Sequence, residues 1–256
     1  YRCRNNSIIS DFIDRCHKKN KNVYYDIDDY IFNYNDIKYM KFLQSDEYEN
    51  FKEYTQEIYE CMSKCDAFIT STINMKKAIQ ESFNDKPVCI NRNAVSLEML
   101  LISLKAKCER IVSEDKITIG YFSGSNTHND DFKLIEEALI EALENNDKVN
   151  LKIGGCLKLP KKFEAFIDRI EYVEFVDWKL LPKLIASVDI NLLPLEDNFF
   201  TSCKSENKWT EAALVAVPTI MSFNTEFEKV VKNGKNALLC KDKQEWKYSL
   251  EKLIND

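Results

Sequence analysis

Along the chain, short apolar runs rich in β-branched and aromatic residues alternate with amphipathic stretches at helical spacing. The pattern predicts strands near Tyr1–Arg4, Asn22–Ile27, Asp66–Thr70 and Pro87–Asn91. Helices are expected at Ser7–Lys19, Asp46–Cys65, Ile73–Phe83 and about Ser96–Cys108. The helical period is clearest within Tyr48–Met62, where Phe51, Tyr54, Ile58, Tyr59 and Met62 fall on one stripe. A second series follows the charged stretch Lys107–Lys116. Its strands are expected at Lys116–Phe122, Asn150–Gly154, Ile170–Phe175, Asp189–Leu193, Pro218–Ser222 and Asn236–Cys240. Its helices are expected at about Asp130–Leu143, Lys179–Ser187, Ser205–Val215, Glu226–Lys232 and Gln244–Ile254.

Strand–helix alternation of this kind predicts βαβ units and mostly parallel sheets. The fold class is therefore α/β, with two Rossmann-like doubly wound domains. Six strands suffice for a complete second domain. Four do not complete the first, so the N-terminal domain is expected to lack its beginning. The domains are expected to cover 1–100 and 101–256, with the boundary inside residues 94–115. Because the first residue is Tyr1 rather than Met, the sequence is expected to be a piece of a longer chain.

A length of 256 residues suits two domains, and 45% hydrophobic with 30% charged residues is ordinary globular composition. The formal net charge of -6 argues against nucleic acid as the main partner, since such proteins usually lean basic. No apolar run approaches the ~20 residues of a membrane-spanning helix and no signal peptide is recognisable, so a cytoplasmic location is expected. The nine cysteines form no CxxC pair. Cys61 and Cys65, four apart, would share a helix face, but two ligands do not make a zinc site. Small buried hydrophobes in a reducing compartment are the expected role.

In doubly wound sheets, ligands sit beyond the carboxyl ends of the strands. Gly120–Phe132 runs from an apolar strand into a loop of small and hydroxyl-bearing residues. Gly124 would admit a ligand close to the backbone, while Ser123, Ser125 and loop N–H groups could donate to phosphate oxygens. A capped turn, with Asp130 and Asp131 favouring the helix dipole, is the plainer reading. His128 stands beside this loop and is a candidate donor to phosphate or sugar, against a surface or capping role. His17, among lysines, is expected in solvent.

The second junction spans Phe199–Pro218. Ser205 is the expected N-cap, which would set Lys204, Lys208 and Glu211 on one helix face at spacings of four and three. Two ammonium groups near a helix N-terminus suit a diphosphate, and a carboxylate one turn later suits the vicinal hydroxyls of a ribose. An exposed helix carrying a Lys208–Glu211 pair is the alternative.

The run Lys204–Ile220 resembles the donor-site signature of the group 1 (family 4) GT-B glycosyltransferases. So do the Gly120–Phe132 loop, Asp189–Leu195 and the turn Asn233-Gly234-Lys235-Asn236-Ala237-Leu238-Leu239. In the first domain Asp66–Thr72 and Val88–Val95 are similar to the segments leading into the hinge of that family. The sequence departs from the pattern in three ways. Cys203 occupies the position of the first carboxylate of a Glu-x7-Glu pair, Ala216 replaces the glycine of Gly-x-Pro, and the usual Arg and Lys at the donor phosphates are missing. The last departure points to Lys204 and Lys208 as substitutes, as in a polysaccharide-assembly subgroup.

Asp26-Ile27-Asp28-Asp29 has the form of the metal anchor of the other large glycosyltransferase fold, GT-A. Its place at the end of a βα strand instead suggests Asp28 and Asp29 as acceptor-side residues or members of a capped turn, with no metal. The resemblance implies transfer of a sugar from a nucleoside-diphosphate sugar to an acceptor hydroxyl, with retention and without an obligatory metal or other cofactor. The acceptor would be a saccharide or a lipid-linked molecule, and missing segments could hold the protein at the inner face of a membrane. Catalytic candidates are His128 and Lys208. A nucleotide-sugar-binding module without activity and a GT-B-like sugar-nucleotide epimerase are the alternatives.

Overall fold

The computed structural model describes residues 3–33, 35–36, 45–111, 113, 115–124, 129–155 and 157–256. It divides into Tyr1–Asn93 with Asp197–Ser205, and Ala94–Glu196 with Glu206–Asp256.

In the first unit, helices α1 (Ser7–Lys18), α2 (Ser45–Lys64) and α3 (Ile73–Ser82) accompany strands β1 (Tyr24–Asp26), β2 (Ala67–Thr70) and β3 (Val88–Ile90). The strands form one parallel sheet in the order β1-β2-β3. Local chemistry sets the helix starts: the Asn6 side chain accepts from Ile9 N, and the Thr72 hydroxyl accepts from Met75 N. Tyr25, Ile27, Phe32, Ile58, Met62, Phe68, Met75 and Ile79 fill the core.

One expectation fails in this unit. Cys3 and Arg4 lie outside any strand, and the Cys3 carbonyl accepts from Tyr25 Oη at 2.8 Å rather than from a ladder amide. His17 is exposed as expected, and its Nε2 lies 3.0 Å from Asp66 Oδ2, an oxygen that also accepts from Val23 N at 2.7 Å. That backbone bond, with help from His17, holds the Asp66 carboxyl below its ordinary pKa.

The second unit begins with α4 (Leu97–Cys108), capped by Ser96. The chain continues through β4 (Ile117–Ser123), α5 (Asn129–Phe132), α6 (Glu136–Asn145), β5 (Val149–Gly155), β6 (Ile170–Val173), α7 (Leu181–Ala186) and β7 (Ile190–Leu193). The short α8 (Phe199–Ser202) falls within the first unit, and the chain then returns through α9 (Asn207–Leu214), β8 (Thr219–Ser222), β9 (Leu238–Cys240) and α10 (Lys243–Asn255). The six strands are parallel in the order β6-β5-β4-β7-β8-β9. Renumbered within the unit this is 3-2-1-4-5-6, the doubly wound order, with its switch point between β4 and β7. Ile119, Tyr121, Leu151, Ile153, Ile190, Leu192 and Ile220 pack on one face with Phe132, Leu139 and Trp246. The opposite face is covered by Ile185, Val188, Ala212 and Val215, and by a second cluster around Leu193, Met221 and Phe227.

The structure corrects the expected helices in three places. The stretch 130–143 is broken, because Lys133, Leu134 and Ile135 N–H bond three residues back, to Asp130, Asp131 and Phe132. The tighter turn buries Phe132 and Ile135 together. The stretch 226–232 contains only a 3₁₀ turn at Phe227–Lys229, and a further 3₁₀ segment at Lys161–Arg169 was not anticipated. The third, at Ser205, bears on the site below.

Of the cysteines, Cys61, Cys65, Cys203 and Cys240 are buried as expected, whereas Cys89 and Cys108 are exposed. Cys156 lies outside the described residues.

Candidate functional site

Strands β4, β5 and β6 finish level with one another: Ser123 is opposite Gly155, and Gly154 is opposite Val173. At the end of β4 the aromatic ring of Phe122 leaves no room for neighbouring side chains. A β-carbon on Gly154 would fall 2.7 Å from that ring, and one on Gly120 would fall 2.8 Å from it. At Gly155 the backbone is left-handed (φ +94) and a β-carbon would strike the Ser123 carbonyl oxygen, so glycine is required there.

Next to this edge stands α9. It begins at Asn207, not at Ser205, because the Ser205 hydroxyl is engaged by Asn93 Nδ2 at 2.8 Å and Glu206 occupies the N-cap without a side-chain capping bond. The first-turn amides of α9 therefore carry no side-chain cap, which leaves the positive end of the helix suited to an anion. Trp209 Nε1 donates to the Asn236 carbonyl at 3.1 Å and ties α9 to the turn before β9.

At its other end α9 closes with paired bonds from Ala216 N to Ala213 O and from Val217 N to Ala212 O. This is the Schellman arrangement, which sets its C′ residue in the left-handed region. Ala216 has φ +57. The conformation explains why the family pattern carries glycine at this place.

Lys208 and Glu211 share one face of α9, three residues apart. Lys208 Nζ donates to the Phe122 carbonyl at 3.3 Å, which brings the ammonium to the carboxyl end of β4 at the switch point. Glu211 is partly buried, and desolvation raises its carboxyl pKa against the opposing effect of the Lys208 charge. A carboxylate held there gains from any hydroxyl that donates to it.

The loop after β7 is fixed on both sides. Leu195 N donates to Ser222 Oγ at 2.9 Å, and Glu196 N donates to the buried Asp131 at 2.7 Å. Asp131 thus supports the loop, while Asp130 pairs with Lys133. Behind the sheet, Arg110 donates to Asp189 Oδ1 (3.0 Å), Val188 O (3.1 Å) and Ala216 O (3.3 Å), and Asp189 Oδ2 accepts from Thr118 N. This single guanidinium joins the starts of β4 and β7 to the end of α9.

The remaining expected site residues are distributed as follows. Gly124 is exposed beyond β4, but Ser123 is buried and its hydroxyl bonds with that of Tyr121, whose pKa burial pushes upward. Ser125 and His128 lie outside the described residues. Lys204 and Ser205 belong to the first unit, where Lys204 Nζ sits 4.9 Å over the Phe200 ring. The expected shared face therefore holds for Lys208 and Glu211 but not for Lys204, which precedes the helix. Asp28 and Asp29 follow β1 in the first unit, both partly buried, and the Asp29 carbonyl accepts from Ile31 N. Among the described residues, no group of three or more His, Cys, Asp or Glu side chains is arranged to hold a metal ion.

A family model described as "Glycosyl transferases group 1" matches residues 116–256, more than half of the chain. The chain belongs to the group 1 glycosyltransferases. Among solved structures, it is similar to Anabaena HepE in complex with UDP and glucose, with a TM-score of 0.59 at 14% identity over 97% of the chain. It is also similar to WaaG, a glycosyltransferase of lipopolysaccharide biosynthesis, with a TM-score of 0.60 at 15% identity over 91% of the chain. A putative UDP-N-acetylglucosamine 2-epimerase from Listeria monocytogenes matches less closely, with a TM-score of 0.50 at 15% identity; the chain covers 97% of its own length and 70% of that protein. Identities this low establish shared fold, here the α/β GT-B class. The chain spans 66% of the length of the HepE and WaaG structures. No curated protein matches it.

Sequence reading missed one residue of this unit. Arg110 was lost in a charged stretch, though its carbonyl partners appear only in three dimensions.

Proposed function

We propose that the chain binds a nucleoside-diphosphate sugar and serves the transfer of its sugar to an acceptor hydroxyl. The reading rests chiefly on one observation: Lys208 Nζ at the carboxyl end of β4, on a helix with an uncapped N-terminus, at the switch point of a doubly wound sheet. An ammonium and a helix dipole at that place favour a diphosphate, and favour it more as negative charge grows on the departing group. Glu211, one turn further on, suits the ribose hydroxyls. HepE was solved with UDP, which supports a uridine nucleotide as the first ligand to try.

Binding of the donor needs no metal in this arrangement, since lysine and helix N-terminus supply the positive charge. Retention at the anomeric carbon and a role in polysaccharide or lipid-linked glycan assembly are finer parts of the same proposal. The kinship with WaaG supports the second of these. Lys204, His128, Ser125, Asp28 and Asp29 remain candidates on the chemistry of their side chains.

A thermal-shift panel of UDP, GDP, TDP and CDP, with and without divalent metal, tests the binding claim. Stabilisation by one nucleotide without metal is expected; absence of a shift with all four contradicts it. Product analysis with the matching nucleotide sugar then separates transfer, which consumes an acceptor, from epimerisation, which does not.

A further inference from the structure

Helix α4 is built the wrong way round for a surface helix. The residues it buries against its unit are small, Ser103 and Ala106, and Ala106 packs with Ile185 of α7 and Ala212 of α9. Its large residues point outward: Leu97, Leu100, Leu101 and Leu104 are between 36% and 71% exposed. They stand at i, i+3, i+4 and i+7, one continuous stripe of the kind a surface helix ordinarily turns to the core. Beside the first turn, Lys179 Nζ pairs with Glu98 at 2.9 Å, and the neighbours of that lysine, Trp178 and Leu180, are 43% and 56% exposed. They extend the stripe into a patch, and contiguous exposed apolar surface marks an interaction site, unlike single scattered residues.

Two properties of the patch select its partner. The stripe is symmetric about its middle, so in an antiparallel pair Leu97 of each copy lies beside Leu104 of the other, and Leu100 beside Leu101. Charge is placed to match: Glu98 lies in the first turn and Lys105 and Lys107 in the last. Antiparallel pairing brings acid near base at both ends, whereas parallel pairing sets like charges together. A surface that complements itself in this way is what a two-fold dimer needs. An ordinary interface takes about 800 Å² from each partner. Twelve residues of helix, about 18 Å, do not supply that alone, and Trp178 and Leu180 enlarge the area toward it.

We propose that this face pairs with the same face of a second copy of the chain, the two α4 helices running antiparallel about an axis between Leu100 and Leu101. The dimer is independent of nucleotide binding. Its modest area sets it at the weak end of specific association, with a micromolar Kd.

Analytical ultracentrifugation of the native chain over about 1–200 µM is expected to show a monomer–dimer equilibrium. Leu101→Asp places an acid in the seam from both copies and is expected to raise Kd at least about tenfold. Its circular dichroism should be unchanged, because the replaced side chain is exposed. Orientation is read by cross-linking with a short bis-maleimide. Leu101→Cys, in a Cys89→Ser and Cys108→Ser background, is expected to link the copies. Cys108 in the native chain is not, because antiparallel helices hold its two copies about 20 Å apart along their axes. Linkage through Cys108 without linkage at position 101 overturns the antiparallel seam. A native chain that stays monomeric throughout overturns the dimer, and flotation of that monomer with phosphatidylglycerol vesicles would assign the face to a lipid surface instead.

Discussion

At the residue scale, Glu211 shows how the proposed site costs stability. Its carboxyl is desolvated and its pKa raised, so the fold disfavours the ionised form. The penalty is absent while the group is protonated and grows as pH rises through the ordinary carboxylate range, about 4. Glu211→Gln should therefore melt higher than the native chain at pH 7, with the gain shrinking toward pH 4. The same variant should bind UDP more weakly, since an amide is a poorer acceptor for vicinal hydroxyls. Thermal melting across pH and calorimetry read the two effects separately. A native-like melting curve at pH 7 would remove the desolvation argument.

Ala216 makes a smaller, opposite case. Left-handed backbone costs a non-glycine residue about 1–2 kcal/mol, and glycine loses about 0.4–1 kcal/mol through the unfolded chain. Ala216→Gly should thus stabilise by up to about 1 kcal/mol, read as a rise of a few degrees in Tm. A fall in Tm would show that the α9 terminus does not govern this position.

At the scale of elements, the Arg110–Asp189 pair does the joining. Removing Arg110 strands a partly buried carboxylate and frees two carbonyls. A loss of about 2 kcal/mol is expected for Arg110→Ala, more than an exposed ion pair would give and less than a fully buried one. Chemical denaturation measures it, and a change within 0.5 kcal/mol, the range of ordinary surface substitutions, would mean the network is idle.

Which elements were legible in the sequence follows from the same physics. In the second unit β7 and β8 are buried at every position and β5 alternates buried with partly exposed residues, patterns that mark strands, so β4 to β9 fall within two residues of expectation. Where a side chain decides the backbone, periodicity is blind. Ser205 has the composition of an N-cap, yet its hydroxyl is occupied by Asn93, 112 residues away. The break between α5 and α6 lets Phe132 and Ile135 enter the core together, which spacing along the chain does not show. Phe175 reads as strand because nothing local marks the end at Val173. Lys208 and Glu211 were legible because a helix fixes their spacing.

At the scale of the molecule, each unit is a parallel α/β layer, and the six-stranded one carries the switch point at which such sheets bind ligands. Membership of the group 1 glycosyltransferases and the GT-B class agree with that architecture. The central claim is narrower than either: the ammonium of Lys208, beside the open end of α9, holds the diphosphate of the donor. Calorimetric titration of UDP into the native chain and into Lys208→Ala is the most direct test. Hydrogen bonds to charged groups are worth about 1.5–3 kcal/mol, so the variant should bind UDP about 10- to 100-fold more weakly, with its fold intact by circular dichroism. Equal affinity in the two proteins would contradict the account.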